Sequence, residues 1–351
     1  MNKLLSKPRA VAALFLLLAG FAGLSAQENL SLVNTGTISL EGISALSISY
    51  EHDEVILRES DSNDLVIREY MNRNKPRYYA DVSRRDGTLH IRGGARPWFF
   101  GFLLRVRAEI YLPASFRENL RLANSSGKLS GNLDLLDYKT IDISTNSGTV
   151  SLNRLSAQTV SVRVASGDLD ISGIGGSSFV SVSSGKLRIG ELAGAEHRIK
   201  VSSGRTMIGV LQGSAAIELS SGDMVFEKVR GRIELDISSG SVNAGNFSGE
   251  GRFALSSGKL NMDVEELTGD LRFRLASGGV DMNIPGELSF NLDAVTKSGE
   301  ARVAGRDGEI LQVSGNSTVL RPIGPVPEPG GPPAPVIYVR VASGNMTINR
   351  R

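Results

Sequence analysis

The sequence predicts an all-β protein built as a parallel β-helix, or β-solenoid, with about 18–21 residues per coil. Three observations predict it. A Ser-Gly pair returns at Gly127, Gly148, Gly167, Gly185, Gly204, Gly222, Gly240, Gly258, Gly278 and Gly299, and once more at Gly344. Apolar and polar residues alternate on both sides of each pair, the period-two signature of strands flanking a turn. Composition agrees, because 40 glycines, 6% aromatic residues and no cysteine in 351 residues describe turn-rich β-structure. A unit this short cannot bury a core alone, so its copies must stack.

Residues 1–26 read as a secretory signal peptide: Lys3, Lys7 and Arg9 precede an apolar run over 10–18, with small residues up to Ala26. The mature chain is expected to begin near Gln27. Residues 27–119 alternate like strands at 44–49, 54–57, 65–69 and 88–92 but lack the Ser-Gly period. They read as a β-rich N-terminal capping region, since an exposed parallel edge invites self-association. Inside it, Trp98, Phe99, Phe100 and Phe102 crowd one stretch and cannot all face one side of a strand. That makes them candidates for partner contact, against the plainer reading of core or cap packing.

Residues 120–303 are the repeats. Around Gly185, Val180 and Val182 on one side and Leu187 and Ile189 on the other form an apolar face. The same offsets recur at Ile217, Leu219, Met224 and Phe226, and at Leu235, Ile237 and Val242. A second glycine follows nine residues later at Gly194, Gly213, Gly231 and Gly249, giving each coil two corners in a flattened or three-sided section. The turn glycines Gly167, Gly185, Gly204, Gly222, Gly240 and Gly258 are expected to supply positive φ. The serines before them are expected to use their hydroxyls on turn backbone groups. Residues 304–335 form a Pro/Gly-rich insertion in the last coil, too rich in proline for ladder strands. Residues 336–351 resume the pattern as the final coil and C-terminus.

The run YLPASFRENLRLANSSGKLSG at 111–131, with units such as VSVSSGKLRIG and IELDISSGSV, resembles the bacterial putative-adhesin family. The resemblance implies an exported or membrane-tethered β-helix with a surface-contact role. It supplies no catalytic residues.

A formal net charge of +2 argues against nucleic acid as a partner. The absence of cysteine excludes a lipid-modified N-terminal cysteine, disulfides and thiolate metal sites. Calcium-binding β-rolls place aspartates at their corners, whereas here Lys128, Lys186, Arg205 and Lys259 follow the corner glycine. His52, His90 and His197 show no metal-ligand spacing, and GIGG at 173–176 lacks the third glycine of a dinucleotide fingerprint. No cofactor or metal is expected.

The catalytic candidates are Glu218 and Asp236, which fall at equivalent outward positions on neighbouring coils, with Glu234 two residues before Asp236. Stacked positions lie about 4.8 Å apart, near the ~5–5.5 Å between the carboxyls of a retaining glycosidase. A solvated ladder balanced by Lys200 and Arg252 is the plainer account. The reading is therefore a non-enzymatic exported solenoid, in the periplasm, at the cell surface or outside the cell. It acts as an extracytoplasmic scaffold or adhesin-like contact surface for a protein or an envelope or matrix glycan, with no integral membrane span in the mature chain. The alternatives are a polysaccharide-acting β-helix enzyme on those carboxylates and a periplasmic envelope-sensing or maintenance module.

Overall fold

The computed structural model describes residues 30–96, 104–305, 308–325 and 333–351; the predicted signal peptide lies outside the described residues. Mid-chain strands run unbroken from one Ser-Gly turn to the next: Thr149–Val164, Asp168–Val182, Lys186–Val201, Arg205–Leu219, Asp223–Ile237 and Ser241–Leu255. Successive strands are parallel, with Leu187, Thr206, Met224 and Val242 in one column. Each coil thus places its residues over those of the coil before, which is the solenoid that the Ser-Gly period predicts.

Burial resolves the cross-section. Within Asp223–Ile237 the buried side chains are Met224, Phe226, Val229, Ile233, Leu235 and Ile237. Steps of two within a straight side give way to a step of three before Val229 and of four after it, so the strand bends twice between turns. The section is three-sided, and the column of Leu192, Leu211, Val229 and Phe247 fills the short side. Burying side chains of this size contributes about 1.5–3 kcal/mol each. Phe253 stacks on Phe273 of the next coil with centroids 4.9 Å apart, and Phe247 meets Phe253 edge-on at 6.1 Å. The core is therefore packed both across the section of one coil and between successive coils.

The turns are paired as tightly as the strands. The N–H groups of Ser202, Ser203 and Arg205 donate to the carbonyls of Val182, Ser183 and Gly185 at 2.9, 2.8 and 3.1 Å. This pairing changes the reason for the glycines. Among the six turn positions named above, only Gly204 and Gly222 have φ in the left-handed region, at 114° and 132°. What the six share is proximity: a Cβ on Gly167, Gly185 or Gly204 would lie 2.2, 2.2 or 2.3 Å from the carbonyl oxygen of the preceding turn glycine. At Gly222, Gly240 and Gly258 the same distances are 2.5, 2.5 and 2.6 Å. The serine expectation is likewise corrected. Among the described residues, only the Ser343 hydroxyl of these serines bonds backbone, donating to the Ala276 carbonyl at 3.0 Å; it is the serine N–H groups that hold the coils together.

Both ends depart from chain order. The parallel stack does not begin near residue 120: Ala45–Tyr50 and Glu54–Ser60 form a coil that pairs with Asn119–Asn124 and Lys128–Gly131. Beyond it lies a further layer, Thr88–Arg92 and Val106–Pro113. Part of the region read as a cap therefore belongs to the solenoid. Its turn escaped the Ser-Gly pattern because residues 51–53 are Glu, His and Asp, yet Ser125, Ser126 and Lys128 still donate to the carbonyls of Tyr50, Glu51 and Asp53. Antiparallel strands then cover the outer layer, Asp81–Arg85 on Thr88–Arg92 and Leu65–Met71 on Val106–Pro113, with Ser31–Ile38 outside Leu65–Met71.

The C-terminal end mirrors this arrangement. Val336–Val341 and Asn345–Arg350 insert between the coil of Leu271–Leu275 and Gly279–Ile284 and the coil of Phe290–Thr296 and Glu300–Gly305. Residues 336–351, expected as the final coil, are thus next to last in space. The segment 304–335 is not a plain insertion either. Gly308–Ser314 and Thr318–Ile323 lie antiparallel on Glu300–Gly305 and Phe290–Thr296 and cover the outer layer, with Pro322 on a strand that closes the sheet.

Gly185→Ala should therefore destabilise the protein by about 1–3 kcal/mol through overpacking against the Gly167 carbonyl, although φ at that position is not left-handed. Ser184→Ala should stay within about 0.5 kcal/mol. Urea denaturation followed by circular dichroism measures both, and equal effects of the two changes would contradict the close-approach account.

Candidate functional site

Because each coil repeats the register of its neighbour, outward side chains form columns. One column on the side leading into the Ser-Gly turn passes through Arg163, Ser181, Lys200, Glu218, Asp236 and Ala254. A second, two residues earlier in each coil, passes through Arg198, Ala216, Glu234 and Arg252. The catalytic candidates thus stand on adjacent columns, with Glu218 opposite Asp236 and Glu234 between Ala216 and Arg252.

The electrostatics of Glu218 do not suit a general acid. Lys200 Nζ donates to Glu218 Oε2 at 2.7 Å, and Arg198 lies 3.5 Å from the other oxygen. Led by the Lys200 hydrogen bond, these cations hold the Glu218 carboxyl below the ordinary carboxylate range. A catalytic acid needs the opposite shift. Arg232 sits between Glu234 and Glu250, at 3.7 and 3.4 Å. Glu218 and Glu234 thus stand in charge-compensated, exposed pairs, each of which contributes little to stability.

The stacking also brings together residues that spacing alone does not connect. His197 is fully buried on an inward column between Ser178 and Ala215. Its Nε2–H donates to the Gln212 carbonyl at 3.1 Å, which leaves Nδ1 to accept from the Ser178 hydroxyl at 2.9 Å. A hydroxyl donating to a histidine resembles an activated nucleophile. Here both groups are sealed in the wall, and burial pushes the imidazole below its ordinary pKa. The pair satisfies core polar groups instead of presenting a nucleophile. In the sequence the only clue was their separation by 19 residues, one coil.

A second buried group lies near the N-terminal end. Asp53, 4% exposed, accepts from Arg96 Nε at 3.1 Å and also pairs with Arg96 Nη2. Glu69 accepts from Asn34 Nδ2 at 2.8 Å and from the Ala80 N–H. Burial pushes both carboxyls above the ordinary range, against the pull of these partners. Asp53–Arg96 ties the first coil to the segment after Thr88–Arg92, and Glu69 ties Leu65–Met71 to Ser31–Ile38 and to Ala80. The aromatic candidates Trp98, Phe99, Phe100 and Phe102 lie outside the described residues. Among the described residues, no three His, Asp or Glu side chains converge as metal ligands.

The surface offers a hollow of about 680 Å³ beside Glu196, Arg198, Arg232 and Glu234, and a shallow groove along the turn edge. Near the N-terminal end it opens to about 480 Å³ over Ser49, Ala123, Ser144 and Arg163 and the turn residues beside them. Near the other end it holds about 410 Å³ across the coils carrying Ala254, Arg274, Arg340 and Val295.

The Toastrack DUF4097 family model matches residues 43–228 and 179–319. Among solved structures, a putative lipid binding protein from Parabacteroides distasonis ATCC 8503 is similar at 13% identity, over 71% of this chain and 96% of its own, with a TM-score of 0.41. A putative adhesin from Parabacteroides merdae ATCC 43184 is similar at 15% identity, over 71% and 95%, with a TM-score of 0.42. A putative cell adhesion protein from Clostridium sporogenes ATCC 15579 covers 91% of this chain and 98% of its own at 10% identity, with a TM-score of 0.19. No curated protein matches the chain.

His197 gives the described wall a defined pH response. Its folded pKa lies below the unfolded value of about 6.5, so the unfolded chain takes up a proton first as pH falls. The stability conferred by the neutral ring is complete above about pH 6.5 and is lost as pH drops from there towards the folded value. The imidazole carbon signal of His197 in NMR should accordingly stay unshifted from about pH 8 to 6.5. A titration midpoint at or above 6.5 would contradict the buried, neutral assignment.

Proposed function

The chain belongs to the Toastrack DUF4097 family, and from that premise we propose that it is a non-enzymatic, exported contact scaffold of the cell envelope. The leader-like N-terminus supports export. The observation that carries the contact role is the pair of outward columns, which present polar side chains in fixed register along the stack. Strands bonded on both sides fix the backbone from which those side chains project, so a partner meets a surface of set spacing. A scaffold role also accounts for the reactive-looking groups, since Glu218 is neutralised by Lys200 and Arg198 and the Ser178–His197 pair is enclosed.

The partner in this reading is an envelope or matrix glycan or an envelope protein. Mature protein incubated with isolated envelope and with secreted matrix should be retained, and E218Q/D236N should be retained equally well. Retention by neither material contradicts the contact role. Hydrolysis of an envelope glycan by the wild type, abolished in E218Q/D236N, would replace it with the enzymatic alternative.

A further inference from the structure

We propose that the C-terminal part of the turn-edge groove is a binding site for the carboxylate groups of an acidic glycan. The site exists because the chain folds back on itself. Insertion of Val336–Val341 beside Leu271–Leu275 puts Arg340 directly opposite Arg274, and Val295 follows on the next coil. In the neighbouring column Arg252, Arg272, Tyr338 and Asp293 succeed one another. Lys297 closes the groove at the far end, and Ala254, Ala276 and Ala342 give it depth between the long side chains.

The charges here are concentrated and incompletely matched. Arg340 is held in a two-pronged pair with Asp293, both contacts at 3.0 Å. Arg272 pairs with Asp270 at 3.1 Å and lies over the Tyr338 ring at 4.3 Å. The side chains of Arg252, Arg274 and Lys297 make no ion pair or hydrogen bond with any described residue. Five cations thus have two carboxylates as ion-pair partners, Glu234 beside Arg252 in its column being paired with Arg232, on a chain whose formal net charge is only +2.

The register also indicates which ligand chemistry fits. Arg340 takes its carboxylate from Asp293, two residues before its column partner Val295 on the next coil. Arg274 stands in the same relation to Tyr338, two residues before its partner Arg340, so an aromatic ring occupies the place of the acid. A guanidinium fork matches a carboxylate bidentately. A carboxylate supplied by a ligand would complete at Arg274 the pair that Asp293 completes at Arg340, with the sugar ring against Tyr338.

Other anionic partners fit less well. Nucleic acid is disfavoured by a formal net charge of only +2, too small for a polyphosphate partner. Lipid insertion needs a broad apolar face, and the large exposed apolar side chain on the adjoining cap strand is Leu320, 77% exposed.

This assignment rests on the contact role proposed above, and the test separates the two. Binding of mature protein to polygalacturonate is measured by isothermal titration calorimetry, beside neutral dextran, poly-glutamate and anionic phospholipid vesicles. Wild type should bind polygalacturonate in preference to the other three. R274Q/K297Q should weaken that binding about tenfold. K186Q/R188Q, which removes as many cations beside Asp168 and Asp170 on another side, should change it less than about twofold. All of these side chains are exposed, and circular dichroism verifies that both variants fold. Equal losses in the two variants, or equal binding of poly-glutamate or vesicles, would overturn the site. Retention on envelope without polygalacturonate binding overturns the site and leaves the contact role standing; absence of both overturns both.

Discussion

The rest of the structure depends on one close approach: at each Ser-Gly turn, a carbonyl oxygen of the neighbouring turn, Asp53 at Gly127 and a glycine at the others, occupies the space where the Cβ of the glycine would be. The turn N–H groups can reach the preceding coil at 2.6–3.1 Å only because that space is empty of side chain. This sets the spacing of coils at the edge to that of the strands, about 4.8 Å. Register then propagates without slippage, and every outward or inward position becomes a column. The buried phenylalanine stack, the Lys200–Glu218 pair and the alignment of Arg274 with Arg340 are all consequences of that registration.

A regular stack has no intrinsic reason to stop, and each end must dispose of a parallel edge with unpaired backbone groups. Both ends use the same device. A chain-terminal segment, Ala45–Ser60 or Val336–Arg350, sits one layer inside, and an internal segment forms the outermost layer, which antiparallel strands then cover. Placing the terminal segments between two layers gives their strands neighbours on both sides. At the N-terminal end the buried Asp53–Arg96 pair and the Glu69 hydrogen bonds add fixed polar contacts among these strands. Such buried pairs are better at specifying one arrangement than at stabilising it.

The body of this fold was legible in the sequence because one local rule, a turn every 18–21 residues between alternating strands, generates it. The ends were not, because strand neighbours there are not sequence neighbours: residues 51–53 make a turn without Ser-Gly, and Arg340 reaches Arg274 from 66 positions away. The cause of the glycine requirement also lay beyond the sequence. Positive φ and a neighbour's carbonyl both select glycine, and only coordinates distinguish them at Gly185. Of the site, the pairing of Glu218 with Asp236 and the balancing Lys200 could be read from repeat arithmetic, whereas Arg198, on the neighbouring column, needed the structure. Ser178 with His197 and the basic groove carry no motif, since stacking and not spacing along the chain assembles them.

The most direct measurement of the central claim is native-state amide hydrogen exchange, resolved residue by residue. If the turns are bonded from coil to coil, the amides of Ser203 and Arg205 exchange as slowly as that of Ile199 inside the neighbouring strand. Exchange of those turn amides at the rate of an open loop, with the strand amides still protected, would show that the turns do not hold the stack and would contradict the account.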